Sequence, residues 1–145
     1  MLSPNNGQPM RLVASEPATY TLRGEQFAVE GPAWECDETG ERFVTDEQDH
    51  QMHERLHQLW RERQGLGRAA LRARRQALGL RTAEAAALLG LRKRQYHTFE
   101  ATDQLPPKPV ARLLQLLLSD AGVAALLAAA GPTLPPALRQ KLGGQ

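Results

Sequence analysis

Cysteine is nearly absent: Cys36 is the only one in 145 residues. A single thiol excludes an internal disulfide framework and any multi-cysteine zinc site within one chain, and it suits a reducing compartment. Long apolar runs are missing too. The densest apolar stretch, Val110 to Ala130, is interrupted by Arg112, Gln115, Ser119 and Asp120, which is too punctuated for a membrane span. No charged segment with an apolar core and a small-residue cleavage site opens the sequence, so no secretory signal is expected and a cytoplasmic location is. Enzyme signatures are also lacking. There is no phosphate-binding glycine loop, nucleophile elbow or metallohydrolase motif, so neither catalysis nor a cofactor is expected.

What the chain does have is a division of charge. Residues 1 to 60 carry four Lys/Arg against eleven Asp/Glu, a net of −7, whereas residues 61 to 145 carry fourteen against five, a net of +9. The formal total of +2 hides this split. A basic half points to a polyanion partner, of which nucleic acid is the obvious one, and the acidic half points to something different.

Met1 to Ser15 is polar, with Pro4, Gly7 and Pro9, and reads as a loop or arm. Tyr20 and Leu22, then Phe27 and Val29, alternate with polar residues around Arg23-Gly24-Glu25, which predicts an antiparallel hairpin. Further extended segments are predicted at Ala33 to Cys36 and Glu41 to Val44. Thr45-Asp46-Glu47-Gln48 has capping-box spacing. The helix it opens carries Met52, Leu56, Leu59 and Trp60 on one stripe suited to the small sheet, and Gly65 stops it. The Gly65-Leu66-Gly67 hinge marks the domain boundary. Beyond it, five helices are predicted: Arg68 to Leu78, Thr82 to Leu89, Arg92 to Glu100, Pro109 to Leu118 and Asp120 to Ala130. The fold class is therefore α+β: a β domain with one capped helix at 1–64, a five-helix domain at 65–131, and a flexible tail at 132–145.

Thr82 to Glu100 is the most informative segment. Thr82 is suited to cap a helix with Ala85, Ala86 and Leu89 inward. The small Ala86 permits a close helix crossing, and Gly90 suits a turn with positive φ, as a helix-turn-helix requires. Leu91, Tyr96 and Phe99 supply the buried face of the second helix. Arg92, Lys93, Arg94, Gln95, His97 and Thr98 then point outward at its N-terminal end, where base edges are met in the major groove. Arg68, Arg72, Arg74, Arg75 and Arg81 are expected to neutralise phosphates.

These residues resemble a known family. Arg75-Gln76-Ala77-Leu78-Gly79-Leu80, Ala83-Glu84-Ala85-Ala86, Leu89-Gly90, Tyr96-His97-Thr98-Phe99-Glu100 and the Leu-rich Pro106 to Leu118 resemble the Xre-type helix-turn-helix domain of MqsA-like antitoxins. The N-terminal half is similar to the YgiT-type zinc finger of that family. Ser3-Pro4-Asn5-Asn6-Gly7 stands where the finger has Cys-Pro-x-Cys-Gly, and Cys36-Asp37-Glu38-Thr39-Gly40-Glu41 where it has Cys-x-x-Cys-Gly-Glu. Three of the four zinc ligands are thus replaced, by Ser3, Asn6 and Thr39, and hydroxyl or amide groups do not substitute for thiolates at structural zinc. A metal-free version of the domain is expected.

The resemblance implies a homodimeric repressor of a palindromic operator in double-stranded DNA, with Arg94 and Thr98 at the base-reading positions. It also implies a cognate toxin bound by the acidic half. A regulator without a toxin, and a protein-interaction module that has lost DNA binding, are the alternatives. Leu113, Leu114, Leu117, Leu118, Val123, Leu126 and Leu127 are the candidate dimer interface, with core packing as the rival explanation. His50, His53 and His57 share a helix and are read as a solvated face rather than a metal site. Cys36 is read as a structural thiol whose pKa is raised by Glu35, Asp37 and Glu38.

Overall fold

The computed structural model describes residues 2–4, 6–14 and 18–143, and the chain divides into two units, Met1–Trp60 and Arg61–Gln145. In the first unit, β1 (Met10–Ala14), β2 (Ala18–Leu22), β3 (Glu25–Val29), β4 (Pro32–Cys36) and β5 (Arg42–Phe43) precede α1 (Asp46–Arg63). β2 and β3 form the predicted hairpin, with Tyr20 opposite Phe27. Its two-residue turn has Arg23 at φ 51° and Gly24 at φ 81°. Two positive φ values match the twist of the strands they join.

The other three strands make an antiparallel sheet in the order β1-β4-β5, with Leu12 opposite Trp34 and Trp34 opposite Phe43. β1 corrects the reading of Met1 to Ser15 as loop or arm. The strand does not alternate: Met10 is buried but Leu12 and Ala14 are exposed, so only its partner β4 reveals it. Of that stretch, Met1, Asn5 and Ser15 lie outside the described residues.

α1 opens with the capping box. The Gln48 N–H donates to Thr45 Oγ1 at 3.1 Å and the Thr45 N–H to Gln48 Oε1 at 2.9 Å, while Asp46, Glu47 and Asp49 lie near the positive end of the helix dipole. Met52, Leu56 and Trp60 are buried with Met10, Phe27, Val29, Ala33 and Cys36. A Cβ at Gly31 would lie 2.7 Å from Met52 Cγ, and the Arg23 guanidinium sits 4.6 Å from the Trp60 ring centroid. The stripe therefore packs on the strands, as its spacing predicts.

The second unit begins inside α1, four residues before the Gly65 hinge, because Arg61 in the last turn is built into the helices that follow. These are α2 (Arg68–Ala77), α3 (Thr82–Leu89), α4 (Lys93–Ala101), α5 (Lys108–Leu117) and α6 (Asp120–Ala130), close to the five expected spans. α4 packs on α2 and α3, α5 on α3 and α6, and α6 also on α3. The helix stops are glycines in the left-handed region: Gly79 at φ 71° and Gly90 at φ 74°. Arg81, not Thr82, is the N-cap of α3. Its N–H donates to Glu84 Oε1 at 2.9 Å, so the side chain that satisfies this end comes from the third helical residue.

One choice left open is narrowed toward core packing, and one expectation is corrected. Leu114, Leu117, Val123 and Leu126 are core, and Leu113, Leu118 and Leu127 are half-buried, so the α5/α6 stripe is largely spent on internal packing. The segment read as a tail folds into a 3-10 turn (Gly131–Thr133) and α7 (Pro136–Lys141), with Leu134 and Leu138 buried. Pro135-Pro136 starts this helix rather than excluding one, since proline suits a first helical turn. Gly144 and Gln145 lie outside the described residues. No single helix is long and apolar enough to cross a membrane.

Among the glycines described in this unit the tightest approach is at Gly122, where an added Cβ would lie 2.0 Å from the backbone oxygen of Leu116. Overpacking against backbone cannot be relieved by a rotamer change, so Gly122→Ala is expected to destabilise the protein by about 2 kcal/mol or more. Gly131→Ala, where nothing lies within 4 Å of the new methyl, should leave the melting temperature nearly unchanged. Thermal unfolding of both variants checks this.

Candidate nucleic-acid interface

α4 has two chemically opposite ends. At its start, Arg92, Lys93, Arg94, Gln95 and His97 are exposed and Thr98 is half-buried. Tyr96, Phe99 and Glu100 face inward. The Thr98 hydroxyl donates to the Arg94 carbonyl at 2.9 Å, one turn back. Among the described residues no hydrogen bond or ion pair engages the side chains of Arg92, Lys93, Arg94, Gln95 or His97. There is no acidic residue in this first turn. Cations at a helix N-terminus face the positive end of the dipole, an arrangement that costs about 0.3–1 kcal/mol per charge unless an anion offsets it.

At the other end, arginines converge. Arg61 is 1% exposed; its Nε donates to the Leu66 carbonyl at 3.0 Å and its two terminal nitrogens donate to the carbonyls of Phe99 and Thr102. Burial lowers its pKa, Asp103 opposing that shift, yet a guanidinium stays charged. Arg75 grips Glu100 through both carboxylate oxygens, at 2.7 and 3.0 Å, and also donates to the Leu80 carbonyl at 2.9 Å. Burial alone would raise the pKa of Glu100, but the Arg75 guanidinium overrides it and holds the carboxyl below its usual value. The Tyr96 phenol beside them is pushed up, by burial first and by the Glu100 carboxylate second. Arg68 reaches the Ala101 carbonyl and Asp103, both at 3.2 Å.

The expected phosphate contacts are thereby sorted. Arg75, and with it Arg74, which donates to the Leu117 carbonyl at 2.8 Å and to Asp120 at 2.7 Å, serve internal positioning; for Arg75 this corrects the assignment as a DNA contact. Arg72 keeps a largely exposed side chain 3.8 Å from Glu100, and the Arg81 side chain is 81% exposed beside Glu84. Both remain available to an anion.

Sequence reasoning missed Arg61, whose acceptors Phe99 and Thr102 lie 38 and 41 residues further along the chain, and it missed Lys141. The Lys141 ammonium, on α7, binds Glu84 Oε1 at 2.8 Å. With the Arg81 N–H, it lowers the Glu84 pKa to about 2.

A second site lies in the first unit, where two turns repeat one geometry. The Gly7 N–H donates to the Ser3 carbonyl at 2.9 Å with Gly7 at φ 72°, and the Gly40 N–H donates to the Cys36 carbonyl at 2.8 Å with Gly40 at φ 73°. The turns bring Asn6 to Cys36, its Nδ2 lying 3.7 Å from the sulfur. Ser3 and Cys36 are buried. The Cys36 pKa is lowered, chiefly by hydrogen bonds from the Thr39 side chain and backbone, which corrects the expected rise from nearby carboxylates. One thiol with amide and hydroxyl neighbours does not fit structural zinc. Among the described residues no three His, Cys, Asp or Glu side chains gather at metal-binding distance. On α1, His50 pairs with Glu54 at 3.0 Å and His53 Nδ1 lies 2.9 Å from the Asp49 carbonyl. Burial first, and His53 second, lower the pKa of His57.

Arg75→Ala leaves a buried Glu100 carboxylate without its two hydrogen bonds, with only Arg72 at 3.8 Å, and is expected to cost about 3 kcal/mol, whereas Arg94→Ala should change stability by no more than about 0.5 kcal/mol. Denaturant unfolding of the two variants separates internal arginines from free ones. Glu84 supplies a pH signature. Its pKa is about 2 when folded against an ordinary 4.5, so its contribution is present above pH 4.5 and lost as pH falls toward 2. Glu84→Gln should be less stable at pH 7, and the difference from wild type should shrink across that window in acid titrations of unfolding.

No protein-family model, curated protein or solved structure matches this chain.

Proposed function

We propose that this protein is a sequence-specific transcriptional repressor that binds double-stranded DNA through a helix-turn-helix formed by α3, the Gly90 turn and α4. The observation that carries the reading is the asymmetry of α4. Every arginine near its C-terminal end has an internal partner, while three cations, an amide and an imidazole at its N-terminal end have none. A row of free Arg, Lys and Gln side chains at that end matches what base edges in a major groove accept. Arg94 and Thr98, one turn apart, read bases. Arg92, Lys93, Gln95 and His97 flank them, and Arg72 and Arg81 neutralise phosphates.

The resemblance to MqsA-like antitoxins supports the more specific form of the proposal: an Xre-type, homodimeric, cytoplasmic antitoxin that represses its own operon from a palindromic operator. In this form the acidic first unit binds a cognate toxin. The paired turns at Ser3–Gly7 and Cys36–Gly40 support the likeness to a finger whose metal ligands have been replaced.

The test is a mobility shift on the promoter of the protein's own operon. Arg94→Glu should abolish the shift while raising thermal stability slightly, by about 0.3–1 kcal/mol, because a carboxylate suits a helix N-terminus. A merely structural arginine would show the opposite. Wild-type affinity should fall on the order of a thousandfold between 50 and 200 mM salt if about six phosphates are contacted. An unchanged shift with Arg94→Glu, or a flat salt response, contradicts the proposal.

A further inference from the structure

The first unit carries an apolar surface that its own core does not use. The strand register sets Leu12, Trp34 and Phe43 side by side across β1, β4 and β5. Leu12 is 59% exposed, Trp34 and Phe43 are half-buried, and Val44 beside Phe43 is 47% exposed. β1 is also an edge strand: among the described residues β4 pairs with it on one side and no strand pairs with it on the other, the Leu2–Pro9 bridge lying just before its first residue. A groove along it is lined by Leu12, Val13, Ala14, Glu30, Gly31 and Pro32. Edges left open in natural sheets are commonly guarded by lysine, proline or a bulge. In β1 the one charged residue is Arg11, and its guanidinium is held by Asp37 at 3.0 Å. Such an edge suits strand addition, in which main-chain hydrogen bonds hold the incoming segment and alternate side chains select it.

Charge selects the occupant. Residues 1 to 60 carry a net −7. The sheet's two arginines are already used, Arg11 by Asp37 and Arg42 by Glu35 at 3.8 Å. Among the described residues no ion pair engages Glu30, on the groove, or Glu38. A second copy would bring the same negative charge to this edge, so self-pairing is disfavoured.

We propose that β1 and the Leu12-Trp34-Phe43 row form a docking surface for an extended segment of a basic protein. The segment adds as a strand beside β1, lays an apolar side chain against Leu12, and directs lysine or arginine toward Glu30. The inference rests on reading the first unit as the partner-binding part of the proposed function, and it is independent of DNA binding by the second.

The test uses the full chain and a fluorescent eight-residue peptide of alternating valine and lysine, with a valine-glutamate peptide as control. Anisotropy should show saturable binding of the first only, and hydrogen exchange should slow at residues 10–14. Leu12→Asp is the deciding variant, at a position exposed enough to leave the fold intact. It removes the apolar contact and adds negative charge, so docking predicts binding at least tenfold weaker, whereas diffuse attraction between opposite charges predicts tighter binding. The proposal is overturned by tighter or unchanged binding to Leu12→Asp, by equal binding of the glutamate peptide, by protection elsewhere, or by no saturable binding. It is also overturned if sedimentation shows a dimer that Leu12→Asp abolishes, since the occupant is then a second copy. Peptide binding of the expected pattern by a chain that does not shift DNA supports this surface and counts against the DNA reading alone.

Discussion

The second unit is organised around one buried cation. Arg61 leaves the last turn of α1 and enters the C-terminal end of α4, where the carbonyls of Phe99 and Thr102 are left without helical donors. The guanidinium supplies those donors, and its positive charge meets the negative end of the helix dipole. A buried arginine without such acceptors would be strongly destabilising. Its place therefore fixes where α4 ends and, through the Leu66 carbonyl, how the chain turns after α1. The Arg75–Glu100 pair holds the same end from α2.

With one end of α4 gripped this way, the other can carry charge that the fold does not need. A sequence optimised for stability alone would place Asp or Glu at residues 93 to 95. Lys93, Arg94 and Gln95 stand there instead, next to Arg92. Departures from local helix preference that bring no internal contact are where function is expected to show. Rigid support at one end and unpartnered donors at the other are what a base-reading helix requires, since a loosely held helix would lose discrimination.

Much of this fold was legible because local chemistry dictates it. The hairpin declared itself by alternation around Arg23-Gly24, α1 by its Thr45–Gln48 box, and the helix ends by Gly79 and Gly90. The exposed set on α4 was also readable, since Tyr96 and Phe99 define the opposite face. What stayed hidden depends on residues distant in sequence. β1 becomes a strand only beside β4. Arg75 and Arg94 look alike until Glu100 claims one of them. Gly122 gives no sign of its role until the Leu116 carbonyl is placed against it. α7 was masked by two prolines, although Leu134 and Leu138 complete the core and Lys141 closes on Glu84. The Cys36 environment also stays hidden, because the Thr39 hydrogen bonds that lower its pKa arise only in the folded turn, whereas the neighbouring carboxylates stand in the sequence.

The central claim is that the free end of α4 reads base sequence. Selection of binding sites by the full chain from a random pool of double-stranded DNA tests it most directly. The account predicts enrichment of one two-fold symmetric motif, with half-sites about one helical turn apart. A pool that remains random after repeated rounds, with DNA retained only through charge, would contradict it.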